Sequence, residues 1–164
     1  MFAGLAPDLD GLGIVVDFCA RLFGLAETNY YQEYHRVYGH GLPAAIVFAA
    51  LVWALAGSRA RAALGAFVSV HLHFLCDLAG SRGNDPLDIW PIPYLSPLSD
   101  ALTLSWSGQW ELVSWQNTTI TAALLAIAGA MAIRRGYSPV SLFSKKADAQ
   151  VVAALRQRWQ QVRG

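Results

Sequence analysis

The sequence predicts an all-α fold, a small helical bundle crossing a membrane several times, with a His/Asp cluster at one end. Three observations predict it. Hydrophobic residues make up 55% of the 164 positions and charged residues only 14%, against about 25% charged in an ordinary soluble domain. Two long segments lack any charge: Leu42–Gly57, and the 22 residues from Leu112 to Ile133. All four histidines fall between positions 35 and 73, at the ends of apolar segments.

The same composition excludes other classes. So apolar a chain is neither a disordered tail nor a coiled coil. Cys19 and Cys76 stand too far apart for a CxxC-type zinc site and too few for a disulfide scaffold. Residues 1–133 carry a net charge of −5 and residues 134–164 a net +6. An acidic body and a short basic tail suit a cation site and an anionic membrane surface. No nucleic-acid partner is expected.

Pro7, Gly11 and Gly13 bracket an acidic turn bearing Asp8 and Asp10. These aspartates interrupt any early apolar run, and with no basic n-region no cleavable secretion signal is expected. Residues 14–24 read as a short helix. Residues 25–41 form a polar, aromatic connection closed by Gly39 and Gly41. Pro43 suits the first turn of a helix over 42–57, which is apolar on every side. Ser58–Arg61 breaks the chain before a second helix over about 62–79. Four prolines mark 80–110 as loop.

The stretch 112–133 satisfies the roughly 20 apolar residues that a bilayer span requires. The helices 42–57 and 62–79 are of a length that fits a marginal span or the buried core of a soluble bundle. Charge placement favours the membrane. Arg59 and Arg61 follow one segment and Arg134–Arg135 another, and an up-and-down path puts both pairs on one side, the cytoplasmic one. The opposite side collects Glu27, Glu33, Asp85, Asp88, Asp100 and Glu111, with Tyr30, Tyr31, Tyr34, Trp90, Trp106, Trp110 and Trp115 as an interfacial belt. Positions 147–163 place Val151, Val152, Leu155, Trp159 and Val162 on one helical stripe, fitting an amphipathic helix on the inner leaflet or against a partner subunit. The chain thus divides into a membrane-embedded metal-site region, 1–136, and a basic tail, 137–164.

A tight hairpin through 58–61 makes its two helices antiparallel. The start of the first then lies beside the end of the second, where His73 and Asp77 share a face at i, i+4. His35, His40, His73 and Asp77 meet there, and the Asp8–Asp10 turn reaches the same end if the helix 14–24 packs alongside. Carboxylates so close repel one another unless a cation lies among them. Imidazole and carboxylate together suit zinc first, with manganese or iron(II) also compatible. His71, two residues from His73, points to nearly the opposite side and reads as a core residue.

Pro7-Asp8-Leu9-Asp10, His35-Arg36-x-x-x-His40-x-Leu42 and His73-x-x-x-Asp77, followed by Gly83 and Trp90-Pro91, resemble the membrane-bound metal-dependent hydrolases described as LexA-regulated, the YdjM-like family. The likeness covers roughly residues 5–95. Val37, Gly39 and Gly41 stand where that family has Gly, Thr and Ser. The family is related to zinc-dependent phospholipase C and single-strand nucleases. The resemblance implies a multi-pass protein of the bacterial inner membrane, with its basic C-terminal tail in the cytoplasm. It further implies that Asp8, Asp10, His35, His40, His73 and Asp77 are metal ligands or their immediate partners.

On that footing the expected function is phosphoester hydrolysis by a metal-activated water. Asp10 or Asp77 would orient or deprotonate the water, and Arg36 would neutralise a phosphoryl oxygen. A site at the outer face favours a phospholipid or lipid-linked phosphoester. The alternative is a non-catalytic membrane protein that binds metal or organises partners. A proton or metal transporter ranks last, because 42–57 and 120–133 offer almost no polar lining.

Overall fold

A computed structural model describes residues 3–164. Six α-helices, three short 3-10 turns and one two-stranded ribbon make up the described elements, so the all-α expectation holds. The chain forms two compact units, one up to Leu112 and one from Val113 to Gly164.

In the first unit Pro7 opens a 3-10 turn, Pro7–Leu12, that presents Asp8 and Asp10. Helix α1, Gly13–Leu22, follows it directly. Gly24, in the left-handed region at φ 63°, ends it two residues before the expected stop. Short helix α2, Tyr30–Tyr34, has no side-chain cap of its own. The buried carboxylate of Asp17 on α1 supplies one from outside. It accepts hydrogen bonds from Thr28 Oγ1 at 2.7 Å, Tyr30 N at 2.9 Å and Tyr31 N at 3.0 Å. The carboxylate thereby satisfies two amides that a helix start leaves free.

Helix α3, Leu42–Leu55, starts with Pro43 in its first turn, as expected. Gly57 and Ser58 both take positive φ, at 66° and 62°, and turn the chain back into α4, Ala60–Gly80. This hairpin is the most extensive helix pairing in the molecule. Small residues at the contact, Ala44, Ala45 and Ala66, let the axes approach, and Val70 and Phe74 fill the seam with Ile92. Ile92 belongs to the ribbon β1 (Ile92–Pro93) and β2 (Thr103–Leu104), paired Ile92 with Leu104 and Pro93 with Thr103.

In the second unit Ser114 caps α5, Trp115–Arg135, and Gly136 at φ 78° closes it. A 3-10 turn, Pro139–Leu142, leads to α6, Lys145–Arg163. Asp148 on α6 accepts from Ser138 N at 2.7 Å and Ser138 Oγ at 2.6 Å, which ties the turn to the helix.

Helices α4 and α5 each have 21 residues, about 31 Å at 1.5 Å per residue and enough for a bilayer core. Only 17% and 6% of their most apolar stretches are buried within the protein. A core helix of a soluble bundle is largely covered; Leu64, Leu72, Leu124, Leu125 and Ile127 are instead more than half exposed. Helix α3 spans 14 residues, about 21 Å, so it falls short of a full crossing.

Two outcomes are expected. Asp17→Ala exposes the Tyr30 and Tyr31 amides to hydrogen exchange while α3 and α4 stay protected. Main-chain donation from Tyr31, opposed by burial and aided by Thr28 and Tyr30, holds the Asp17 carboxyl below its usual range. Its contribution is therefore full above the ordinary carboxylate pKa and lost as pH falls through the depressed value, so acid mimics the mutation. Gly39→Ala sets a Cβ against the Pro7 carbonyl and 3.0 Å from Asp10 Oδ2. It should lower stability by about 1–3 kcal/mol in thermal melts.

Candidate metal centre

The α3–α4 hairpin brings the two histidine segments together as the sequence predicts. His40 precedes α3 and is fully buried. Its Nε2 lies 3.3 Å from Nε2 of His73, which projects from the penultimate turns of α4. Asp8 Oδ1 approaches these nitrogens at 3.7 and 3.4 Å, and Asp77 Oδ2 at 3.3 and 3.5 Å. A tetrahedral zinc with bonds of about 2.0–2.1 Å separates its ligand atoms by roughly 3.3–3.4 Å. Four of the five distances lie between 3.3 and 3.5 Å, close to that edge length, and the His40–Asp8 distance is longer at 3.7 Å. Two imidazole nitrogens facing one another need a proton or a cation between them, and the two carboxylates supply the opposing charge. The trio of donors, two imidazole nitrogens and the Asp8 oxygen, fits zinc and is compatible with manganese or iron(II), and Asp77 Oδ2 lies beside both nitrogens.

Asp10 sits beneath this cluster with its side chain almost wholly buried. Its Oδ1 is 3.0 Å from His35 Nδ1, and its Oδ2 is 3.1 Å from His40 Nδ1. Oδ2 also accepts from Arg36 N at 2.9 Å and Gly39 N at 2.8 Å. Burial opposes ionisation, yet these donors outweigh it and hold the Asp10 carboxyl far below its usual range. The arrangement sets the His40 tautomer. Nδ1–H donates to Asp10, leaving the Nε2 lone pair directed at His73. Burial pushes the pKa of His40 down, but the carboxylates of Asp10 and Asp77, which a doubly protonated ring would meet through Nδ1–H and Nε2–H, outweigh it and hold the pKa above the ordinary histidine value; the Nε2 lone pair belongs to the neutral ring.

The donor atoms form two overlapping trios, Asp8–His40–His73 and Asp10–His35–His40, sharing His40 through different ring nitrogens. In the second, four donors already engage the Asp10 carboxylate. His35 makes its one close ion pair with Asp10 and stacks on Tyr31 at 4.7 Å. Asp8 is the open side, with 53% of its side chain exposed.

Arg36 is buried, in the left-handed region at φ 72°. Its guanidinium donates to the Trp90 carbonyl at 3.1 Å and Ser81 Oγ at 2.7 Å, lies 4.8 Å from the Trp90 ring centre, and comes within 3.5 Å of Asp77 Oδ2. Burial lowers its pKa against the opposing pull of Asp77, and it stays protonated at neutral pH. Beside it a cavity of about 290 Å³ is lined by Tyr31, His35, Arg36, Asp88 and Trp90 among others.

His71 stands apart, as expected. Its Nδ1 donates to the Phe67 carbonyl at 2.9 Å and its Nε2 meets Tyr94 OH at 2.9 Å. Two supporting residues escaped the sequence reading. Gln109 Nε2 donates to the carbonyls of Asp77 at 2.8 Å and Trp90 at 3.2 Å, while its Oε1 accepts from Trp90 N at 2.9 Å. Ser81 Oγ donates to the Asp77 carbonyl at 2.7 Å. Both lock the end of α4 under Arg36. No periodicity or motif marks either one, since each acts from the loop region.

No curated protein and no solved structure matches the chain. The sequence profile of the YdjM inner membrane protein family, by contrast, matches residues 1–155, taking in the acidic turn, the histidine hairpin and the two long apolar helices that are uncovered within the protein. The chain therefore belongs to the YdjM inner membrane protein family.

Proposed function

We propose that the protein is a membrane-bound metal-dependent hydrolase acting on phosphoesters. The observation that carries this reading is the convergence of His40 Nε2, His73 Nε2 and Asp8 Oδ1, with Asp77 Oδ2 beside both nitrogens. Zinc is the preferred ion. When bound, such an ion lowers the pKa of a coordinated water towards about 7 and polarises a phosphoryl oxygen.

The roles of the chain's own residues follow from their surroundings. His40, His73 and Asp77 form the fixed wall. Asp8, at the open mouth, is the carboxylate that meets incoming water and substrate. Asp10 acts through His40, holding its tautomer and orientation. Arg36 offsets the charge of Asp77 from behind, and the cavity beside it gives room for a small leaving group. An amphiphilic phosphoester, a phospholipid or lipid-linked phosphate, suits a site at the end of apolar helices.

The arginines at the α3–α4 bend and after α5 support a topology with the site at the outer face and the basic tail in the cytoplasm. Reporter fusions after Gly57 and after Ala79 check this. The first is expected to report inside and the second outside; an outside signal after Gly57 reverses the topology.

Four protein donors can also close a structural site, and that favours a second reading as a non-catalytic metal-binding module. Detergent-purified protein should hold one zinc per chain by elemental analysis, lost in His40→Ala and His73→Ala. Asp10→Asn should retain the fold and weaken metal affinity about 10–100-fold. Turnover of a chromogenic phosphodiester, abolished in His73→Ala and Asp77→Ala proteins that still insert, supports the hydrolase. Stoichiometric metal without turnover supports the structural module.

A further inference from the structure

Away from the metal centre, the second unit contains an apolar wedge of about 660 Å³ between α5 and α6. Leu125, Ala126, Gly129, Ala130 and Ile133 line one wall, and Leu155 and Trp159 the other, with Arg134 and Arg163 also bordering it. The crossing of the helices is fixed. The Arg156 guanidinium donates to the Ile133 carbonyl through Nε at 3.2 Å and an Nη at 2.9 Å. The middle of α6 thus sits at the last turn of α5, where a transmembrane helix meets the headgroup region.

The wedge runs from there down the shaft of α5. Leu125 to Arg134 covers about 14 Å of helix rise, comparable with the upper part of an acyl chain. Its two arginines point to the charge of the occupant. Residues 134–164 contain seven basic side chains and one acid, Asp148, and Asp148 is turned to Ser138. The Arg163 guanidinium lies 5.1 Å from the Trp159 ring centre, pairing a cation with an aromatic of the kind enriched at membrane interfaces.

We propose that this wedge binds one acidic phospholipid of the leaflet on which α6 lies, with an acyl chain along Leu125–Ile133 and the phosphate between Arg134 and Arg163. The site differs from the metal centre in residues and in chemistry, and it does not depend on hydrolase activity. It makes α6 a sensor of anionic lipid and not merely a basic tail drawn to a charged surface.

Native mass spectrometry of the full chain in detergent, titrated with phosphatidylglycerol or phosphatidylcholine of identical chains, tests it. One phosphatidylglycerol is expected to be retained in preference to phosphatidylcholine. Arg134→Gln and Arg163→Gln should each weaken that preference about 5-fold, and Ala126→Trp, which fills the wedge, should reduce binding of both lipids. Lys145→Gln with Lys146→Gln, outside the wedge, is the control and should leave the preference intact. Equal retention of the two lipids, an equal loss in the lysine variant, or a dimer in place of a lipid adduct each overturns the proposal. Circular dichroism confirms that every variant keeps its helices.

Discussion

One buried carboxylate organises the candidate metal centre. Asp10 accepts from two imidazoles and two main-chain amides, and each bond fixes a different part of the site. The amides of Arg36 and Gly39 fold the 35–41 segment around it. The imidazole bonds turn His40 so that its second nitrogen faces α4. A carboxylate with four donors keeps its charge in a buried place because those donors replace the water it has lost. Without that anion the left-handed turn at Arg36 and the packing of Gly39 on Pro7 would have little to hold them. Asp17 repeats the device one layer further out, capping α2 from α1 and so setting the start of the segment that Asp10 completes.

The membrane supplies the second constraint. Helices α4 and α5 leave most of their apolar surface uncovered by protein, a state that is stable only where lipid replaces water. Ser69 and His71, near the middle of α4, are satisfied by the Gly65 and Phe67 carbonyls and by Tyr94 OH, whereas the residues of the candidate site lie further along the helix. His73 and Asp77 lie in the last two turns of α4, and Gln109 and Ser81 satisfy the carbonyl of Asp77 near the helix terminus.

Much of this was legible in the sequence, for identifiable reasons. The hairpin followed from a polar break between two apolar runs, and the His73–Asp77 pair from helical spacing. The isolation of His71 followed from its position on the opposite face. What could not be read was which atoms of a shared cluster would face which. Asp8 and Asp10 are two residues apart in one turn, yet one is half exposed at the mouth and the other is sealed under His40. That difference depends on a 3-10 turn whose side-chain directions are set by Gly39 and Pro7 packing together. Arg36 read as a contact for a phosphoryl oxygen, whereas the structure buries its guanidinium on Ser81, Trp90 and Asp77. Its burial against Trp90 depends on loop residues 81–110, where no hydrophobic period operates. Gln109 and Ser81 were invisible for the same reason, because their function is to satisfy main-chain carbonyls. The length of α3 was overestimated because its apolar composition continues past the point where Gly57 and Ser58 turn the chain.

The central claim is that His40 and His73 bind one metal ion together, each through Nε2. X-ray absorption at the zinc edge of the metal-loaded protein tests it most directly. The account predicts four nitrogen or oxygen neighbours at about 2.0–2.1 Å, with the multiple-scattering signature of two imidazoles that falls to one in His73→Ala. A shell containing sulfur, or an imidazole signature unchanged by that substitution, would contradict it.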